Sequence, residues 1–99
     1  MKGTEAMEKR YHYRFHGQVQ GVGFRYTARY NADGLGITGW VRNNYDGTVE
    51  MEAQGEEELL DKLIENLRSG RYIKIDKLER TEMEIDDNEY VFREEDDFY

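Results

Sequence analysis

The sequence predicts an α+β fold of the ferredoxin-like type, a split βαβ sandwich with an antiparallel sheet of four to five strands and two helices on one face. Three observations predict this fold. A strand pattern near the start is followed by a helical pattern, a hairpin signal stands in the middle, and a second helical pattern precedes further β-type residues. Because the chain has 99 residues, about the size of one domain, these elements must share a single core.

The first strand and the first helix are separated by a glycine-rich segment. Residues 11–19 alternate between apolar or aromatic and polar side chains, which predicts a strand with one buried face that ends near Gly17. After residues 17–23, apolar residues recur at spacings of four, four and three, the stripe of an amphipathic helix. These residues are Phe24, Ala28, Ala32 and Leu35. Gly34 and Gly36 then supply the signals that end a helix.

A β-hairpin is predicted in the middle of the chain. Residues 38–43 and 48–53 are two β-type runs. Asp46 and Gly47 stand between them and are a strong turn signal. The two strands are therefore expected to pair antiparallel.

The second helix is predicted from charge, periodicity and an end signal. Three glutamates at residues 56–58 open it, and Arg68 with Gly70 closes it. Its apolar stripe comprises Leu59, Leu60, Leu63, Ile64 and Leu67. Two further strands are expected in residues 72–83 and 89–93.

The domain is expected to span residues 10–93. Residues 1–9 and the acidic end, residues 94–99, are expected to be solvated tails. Since these bounds leave no room for another domain, we expect a free-standing domain. An acidic domain with no surplus of apolar residues is most simply a monomer.

The charge of the chain favours a small anionic ligand. The formal net charge is -8, from 22 acidic and 14 basic residues, and much of the acidic excess follows Glu79. Nucleic acid would be repelled by this composition. A single small anion can still be held by a local basic group and backbone N–H donors.

Several residue types and segments are missing from the sequence. Cysteine is absent, which removes disulfides, thiolate metal sites and thiol nucleophiles. His12 and His16 lack the neighbouring ligands of a metal site, so no metal is expected. No apolar run approaches the ~20 residues that span a bilayer, and the start lacks the apolar middle of a signal peptide. We therefore expect a cytoplasmic protein that does not bind a membrane.

Residues 17–25 form a loop that can bind an anion. Gly17, Gly21 and Gly23 allow several backbone N–H groups to point to one place, and the following helix N-terminus adds partial positive charge. Arg25 adds a guanidinium that can hold two phosphate oxygens at once. The spacing fits neither a Walker loop nor a dinucleotide fingerprint. Glycine spacing alone leaves a second interpretation equally open, a tight turn beside a surface cation.

Two motifs in this sequence resemble those of the acylphosphatase family. Residues 17–25, GQVQGVGFR, resemble its first signature, and residues 39–43, GWVRN, followed by DGTV at residues 46–49, resemble its second. The resemblance is close over roughly residues 11–70 and extends to the rest by pattern only. One departure is Asn44, where the family commonly has threonine.

The resemblance implies an enzyme that hydrolyses the carboxyl-phosphate bond of acyl phosphates to a carboxylate and inorganic phosphate, with no metal, cofactor or phosphoenzyme. It implies that Arg25 and the loop N–H groups bind the phosphoryl group. It also implies that Asn43 orients the attacking water, whose proton passes to the substrate's own phosphate. The implied phosphate-binding residues are Gln20, Gly21, Val22, Gly23, Phe24 and Arg25.

Two alternative functions stay open at this point. One is a non-catalytic phosphate or acyl-phosphate binding domain, because the sequence shows groups and not rates. The other is an RNA-binding module of the same topology, which is disfavoured because residues 49–53 offer no aromatic stacking platform. Tyr26, Arg29 and Tyr30 give no second clue to a ligand, since they are expected to form a half-exposed helix face rather than a binding patch.

Overall fold

The computed structural model of the protein describes residues 7–96. The elements follow the predicted order of strand, helix, two strands, helix and two further strands. Their bounds are β1 Glu8–Gln18, α1 Phe24–Leu35, β2 Thr38–Asn43, β3 Val49–Glu56, α2 Glu57–Arg68, β4 Lys74–Met83 and β5 Phe92–Glu94. The predicted ferredoxin-like α+β class is confirmed.

The five strands form one sheet in the order β4-β1-β3-β2-β5. The β1–β3, β1–β4 and β2–β3 pairs are antiparallel, and Tyr13 on β1 lies opposite Met51 on β3 and Arg80 on β4. The β2–β5 pair is parallel, with Gly39 opposite Phe92, so the sheet is mixed rather than wholly antiparallel as expected. The direction follows from the connection. β4 and β5 lie at opposite edges of the sheet, and the connection between them stays at the end of the sheet where β4 finishes. β5 therefore runs antiparallel to β4 and parallel to its neighbour β2.

The buried face of the sheet carries the aromatic residues of β1. Tyr13 and Phe15 are stacked at 5.9 Å, and the Phe15 ring lies 4.8 Å from Phe24 at the start of α1. The helices contribute Ala28, Ala32, Leu60, Leu63 and Leu67 to the same buried cluster. Because one cluster includes strand and helix residues, both helices pack on the same face of the sheet. The first residue of α1 is thereby fixed against the core.

The opposite face holds a buried ion-pair network around Arg10, which is 4% exposed. Its guanidinium lies 2.8 Å from Glu52 on β3 and 2.8 Å from Glu89 in the connection before β5. Gln54 accepts from the backbone N–H of Asp86 at 2.8 Å and donates to its carbonyl at 3.1 Å. These contacts anchor the crossing connection and so place β5 beside β2.

The folded part extends past both expected bounds of the domain. Glu8 and Lys9, expected in the N-terminal tail, belong to β1 and pair with β3. Glu94 ends β5, and the N–H of Glu95 donates to the carbonyl of Val41 at 2.8 Å. Residues 1–6 and 97–99 of the two expected tails lie outside the described residues.

Candidate active site

The segment between β1 and α1 contains two glycines in a left-handed conformation. Gly21 and Gly23 adopt φ angles of 73° and 78°, a left-handed conformation that favours glycine. Gly23 is the N-cap of α1 and gives no side-chain cap, and the first turn of α1 carries no acidic residue. The helix N-terminus therefore presents its partial positive charge beside this loop, with no carboxylate in its first turn to balance it.

Gly17 has a different role from the other two glycines. Its φ is 126°, and a Cβ atom there would lie 2.3 Å from the carbonyl oxygen of Lys74. It stands where the pairing of β1 with β4 shifts register. Gly17 thus permits the close approach of β1 and β4 before the loop begins.

Arg25 lies in the first turn of α1 and lines a cleft of about 190 Å³. Its Nη1 donates to the carbonyl of Glu95 at 2.8 Å. The cleft is lined by Val19, Gly21, Gly23, Phe24, Arg25, Tyr26, Asn43 and Glu94. Arg25 and Asn43, which come from separate sequence motifs, therefore share one cleft.

Asn43 is the last residue of β2, and the turn after it is held by side chains. The Asn44 amide donates to Thr48 Oγ1 at 3.0 Å, and its backbone N–H donates to the Thr48 carbonyl at 2.9 Å. Asp46 accepts from the Thr48 hydroxyl at 2.6 Å and from its N–H at 2.9 Å. The hydrogen bond from the Thr48 hydroxyl, more than any other contact, lowers the pKa of Asp46. The turn is thus well fixed directly beside Asn43.

Two of the residues predicted to bind phosphate direct their side chains elsewhere. The Gln20 amide donates to the carbonyls of Asn44 and Thr48, at 2.8 and 2.9 Å. The side chain of Val22 is partly buried against the core. Any phosphate contact of these two residues would therefore use the backbone. The Gln20 side chain ties the glycine loop to the turn beside Asn43, a role that the sequence motif did not indicate.

The sequence missed two residues of the cleft wall. Tyr26 was interpreted as part of a half-exposed helix face and Glu94 as part of a solvated tail, yet both line the cleft. Glu94 also pairs with Arg29 at 3.3 Å. The position of Tyr26 directly after Arg25 in the sequence was the one local sign that it could line the cleft. For Glu94, no local pattern could show that β5 lies beside β2.

The histidines lie away from this cleft, on the charged face of the sheet. His12 contacts Glu50, and His16 lies 2.7 Å from Glu79. In the described part of the chain, no group of three or more His, Cys, Asp or Glu side chains could hold a metal ion. Neither helix within residues 7–96 has the length and apolar character needed to cross a membrane.

Comparisons with known proteins point to one family. The acylphosphatase family model matches residues 11–96. An acylphosphatase of Pediococcus pentosaceus is 50% identical over 72 residues, which cover 68% of this chain and 80% of that protein. The solved acylphosphatase of Bacillus subtilis has a TM-score of 0.79 at 35% identity, covering 88% of this chain and 97% of that one. That of Coxiella burnetii has a TM-score of 0.80 at 35% identity, covering 89% and 93%.

These matches include both motifs and nearly all of the described fold. The resemblance found in residues 17–25 and 39–43 is therefore confirmed over the whole domain. The relatives are named acylphosphatases, and the family model reaches from β1 to β5. The chain belongs to the acylphosphatase family.

Proposed function

We propose that the cleft between the glycine loop and Asn43 is where this hydrolase splits an acyl phosphate into a carboxylate and inorganic phosphate. The observation that carries the proposal is the meeting of three components in one cleft of about 190 Å³. These components are the left-handed glycine loop, the guanidinium of Arg25 and the amide of Asn43.

Arg25 and the loop N–H groups hold the phosphoryl group. The hydrogen bond from Arg25 Nη1 to the backbone carbonyl of Glu95 holds the guanidinium at the wall of the cleft. A guanidinium matches two phosphoryl oxygens at once, and the N-terminus of α1 adds partial positive charge. The phosphoryl oxygens carry the charge that this side of the cleft is built to stabilise.

Asn43 orients the attacking water. Its amide can accept from the water and donate to it, and it carries no charge that would repel the phosphoryl group. The neighbouring turn, held by Asn44 and Thr48, fixes the backbone directly after Asn43. A water held in line with the scissile bond needs little further help, because positioning supplies much of the rate in phosphoryl transfer.

The reaction is a single displacement at phosphorus. The water oxygen forms a bond to phosphorus as the bond from phosphorus to the acyl oxygen breaks, and the carboxylate leaves with that electron pair. The proton of the water passes to a phosphoryl oxygen, so the product is inorganic phosphate. Among the described residues that line the cleft, the one carboxylate is Glu94, which is paired with Arg29. We therefore assign no protein nucleophile.

We also propose a monomer in the cytoplasm that does not bind nucleic acid. The net charge of -8 supports the last point. The outer face of β3 supports it too, because Glu50 pairs with Arg42 and Glu52 with Arg10, which leaves no aromatic platform there. Size-exclusion chromatography should give one species at the mass of a single chain, and a dimer mass would refute that part.

Hydrolysis of acetyl phosphate by the purified protein in the presence of a chelator tests the function. We expect turnover far above the spontaneous rate, unchanged by the chelator. The double variant Arg25→Ala with Asn43→Ala, purified in the same way, controls for contaminating phosphatases. Phosphate binding by the wild type without turnover would instead establish a non-catalytic binding domain.

A further inference from the structure

Glu94 carries a charge at a position of β5 where the fold favours an apolar side chain. It lies directly opposite Val41 on β2, which is buried in the cluster shared by the sheet and the helices. Phe92, two residues earlier on β5, is buried in the same cluster. Since side chains alternate along a strand, Glu94 belongs to the same face as Val41 and Phe92. Its carboxylate is therefore directed toward helix α1 rather than toward the outer face of the sheet.

The guanidinium of Arg29 on helix α1 is the partner of this carboxylate. Its Nε atom lies 3.3 Å from Glu94 Oε2, and the two side chains are 47% and 31% exposed. Arg29 follows Arg25 by four residues, so the two lie on one face of the helix. Glu94 and Arg25 both line the cleft. A carboxylate thus stands in the cleft together with one guanidinium, and a second guanidinium holds it from the next helical turn.

The fold does not need a charge at this place. Backbone hydrogen bonds hold β5 and its flanking residues beside β2. The N–H of Gly39 donates to the Val91 carbonyl at 3.1 Å, and the N–H of Glu95 donates to the Val41 carbonyl at 2.8 Å. These bonds would stay in place if the side chain of residue 94 were neutral. The charge of Glu94 therefore has to be explained by its position in the cleft.

A carboxylate in this cleft opposes the binding of a phosphoryl group. Charges of the same sign repel, and the repulsion is stronger in a cleft than in open water because protein replaces much of the solvent. The guanidinium of Arg29 reduces the repulsion, since it lies within ion-pair distance of Glu94. The two members of the pair act on a phosphoryl group with opposite signs, so their separate effects can be measured.

Weaker binding of the phosphoryl group has a use in the reaction. Tighter binding would lower KM, but it would not raise kcat if substrate and transition state gained equally. It would also slow the departure of inorganic phosphate, because the product keeps the group that the cleft binds. A carboxylate that weakens binding therefore fits a cleft that has to empty after each turnover.

We propose that Glu94 limits the affinity of the cleft for phosphate and that Arg29 sets how strong this limit is. The proposal rests on the function proposed above, since it assigns the phosphoryl group to the same cleft. The Glu94 carboxylate repels the phosphoryl oxygens, and the Arg29 guanidinium balances part of its charge. The limit acts on substrate and product alike.

The binding test titrates inorganic phosphate into the wild type, Glu94→Gln, Arg29→Met and the double variant. Glu94→Gln should bind phosphate roughly 2- to 10-fold more tightly, because it removes the repulsion and leaves the guanidinium of Arg29. Arg29→Met should bind roughly 2- to 10-fold more weakly, because it leaves the carboxylate without its partner. The double variant should bind within about twofold of the wild type, since both charges are gone.

The sign of the effect separates this role from a structural one. If the ion pair only held β5 against helix α1, all three variants would bind phosphate more weakly or equally well. Tighter binding by Glu94→Gln is the result that loss of a structural contact would not give. Unchanged or weaker binding by Glu94→Gln would overturn the proposal.

Glu82→Gln is the matched control for net charge. It makes the same chemical change in a glutamate that pairs with Lys9 at 3.1 Å. Glu82 lies opposite Tyr11 near the start of β1, whereas the cleft lies beyond the end of that strand. Phosphate affinity should therefore stay within about 1.5-fold of the wild type, as expected for a distant and screened charge. An equal gain in Glu82→Gln and Glu94→Gln would show an effect of net charge alone and overturn the proposal.

Kinetics with acetyl phosphate separates this proposal from the proposed function. In Glu94→Gln, the KM for acetyl phosphate and the inhibition constant of phosphate should both fall roughly 2- to 10-fold, while kcat does not rise. Turnover by the wild type with an unchanged inhibition constant in Glu94→Gln would overturn the role of Glu94 alone. The expected pattern of phosphate binding without any turnover would support the role of Glu94 and overturn the hydrolase assignment of the cleft.

Discussion

The proposed phosphate side of the cleft is built from backbone conformation, whereas the proposed water side is built from side-chain hydrogen bonds. On the phosphate side, Gly21 and Gly23 hold left-handed φ angles, and helix α1 starts without a side-chain cap. On the water side, the turn after Asn43 depends on contacts among Asn44, Asp46 and Thr48.

The difference reflects what each side has to hold. A phosphoryl group offers several charged oxygens, so many N–H donors and one guanidinium share the task. An attacking water is a single small neutral molecule, and its direction depends on one amide in a fixed place. Damage to the loop side should therefore abolish binding, and damage to the turn side should reduce turnover at nearly unchanged binding.

Removal of Arg25 should have the largest effect. Among the described residues that line the cleft, Arg25 is the one that carries a guanidinium, and we expect Arg25→Ala to lower kcat/KM for acetyl phosphate by on the order of 1000-fold. Steady-state kinetics measures this loss. Arg68→Ala, on the exposed end of α2, is the matched control and should remain active. A kcat/KM of Arg25→Ala within tenfold of the wild-type value would show that the guanidinium is not needed to bind the phosphoryl group.

The next effect should come from the water side. Asn43→Ala deletes the amide that orients the water, so we expect kcat to fall about 100-fold while KM changes little. Asn43→Asp should lose more, because its carboxylate repels the phosphoryl group and should raise KM as well. Kinetics over a range of substrate concentrations separates the two constants. If Asn43→Ala raised KM and left kcat unchanged, its role would be binding.

Gln20 connects the two sides and allows a milder test. Gln20→Ala deletes two hydrogen bonds to the turn beside Asn43. We expect kcat to fall roughly 5- to 10-fold, which corresponds to about 1 kcal/mol, because only part of the energy of these bonds serves to position Asn43. Phosphate affinity should change less than about twofold. Gln18→Ala is the control, because Gln18 is exposed and makes one long contact of 3.4 Å to Tyr72. Equal losses in both variants would show that the link to the turn has no special role.

The smallest effect concerns the pH dependence of the turn. Hydrogen bonds from Thr48 lower the pKa of Asp46, so its ionised form stabilises the fold above the ordinary value of 3.8. This stabilisation is lost as the pH falls through the lower pKa of the folded state. The Tm difference between wild type and Asp46→Asn should therefore be largest near neutral pH and shrink as the pH falls below the ordinary pKa of 3.8. A Tm difference that did not vary with pH would show that the ionised form of Asp46 does not stabilise the fold.

The main elements and the site motifs could be predicted from the sequence because their signals are local. The bounds of β2 match the prediction, and α1 begins at Phe24 and ends before Gly36 as the apolar stripe and the glycine signal indicate. Arg25 and Asn43 stand at fixed offsets within the two motifs, so the resemblance to the family predicted both residues, and the structure places them in one cleft.

The parallel β5 and the cleft residue Glu94 could not be predicted in this way. Their placement depends on contacts across the sheet, such as that of Arg10 with Glu89, 79 residues later. The periodicity of apolar residues, which predicts strands and helices, carries no information about a contact between residues so far apart in the sequence. The role of the Gln20 side chain could not be predicted for a related reason. Its hydrogen-bond partners lie beyond helix α1, in the turn before β3.

The division of the cleft into a binding side and a water side can be tested by titrating inorganic phosphate in a calorimeter. The titration is carried out on the wild type, Arg25→Ala and Asn43→Ala under the same conditions. The account predicts that Asn43→Ala binds phosphate within about twofold of the wild type, while Arg25→Ala shows no measurable binding. Equal loss of phosphate affinity in both variants would contradict it.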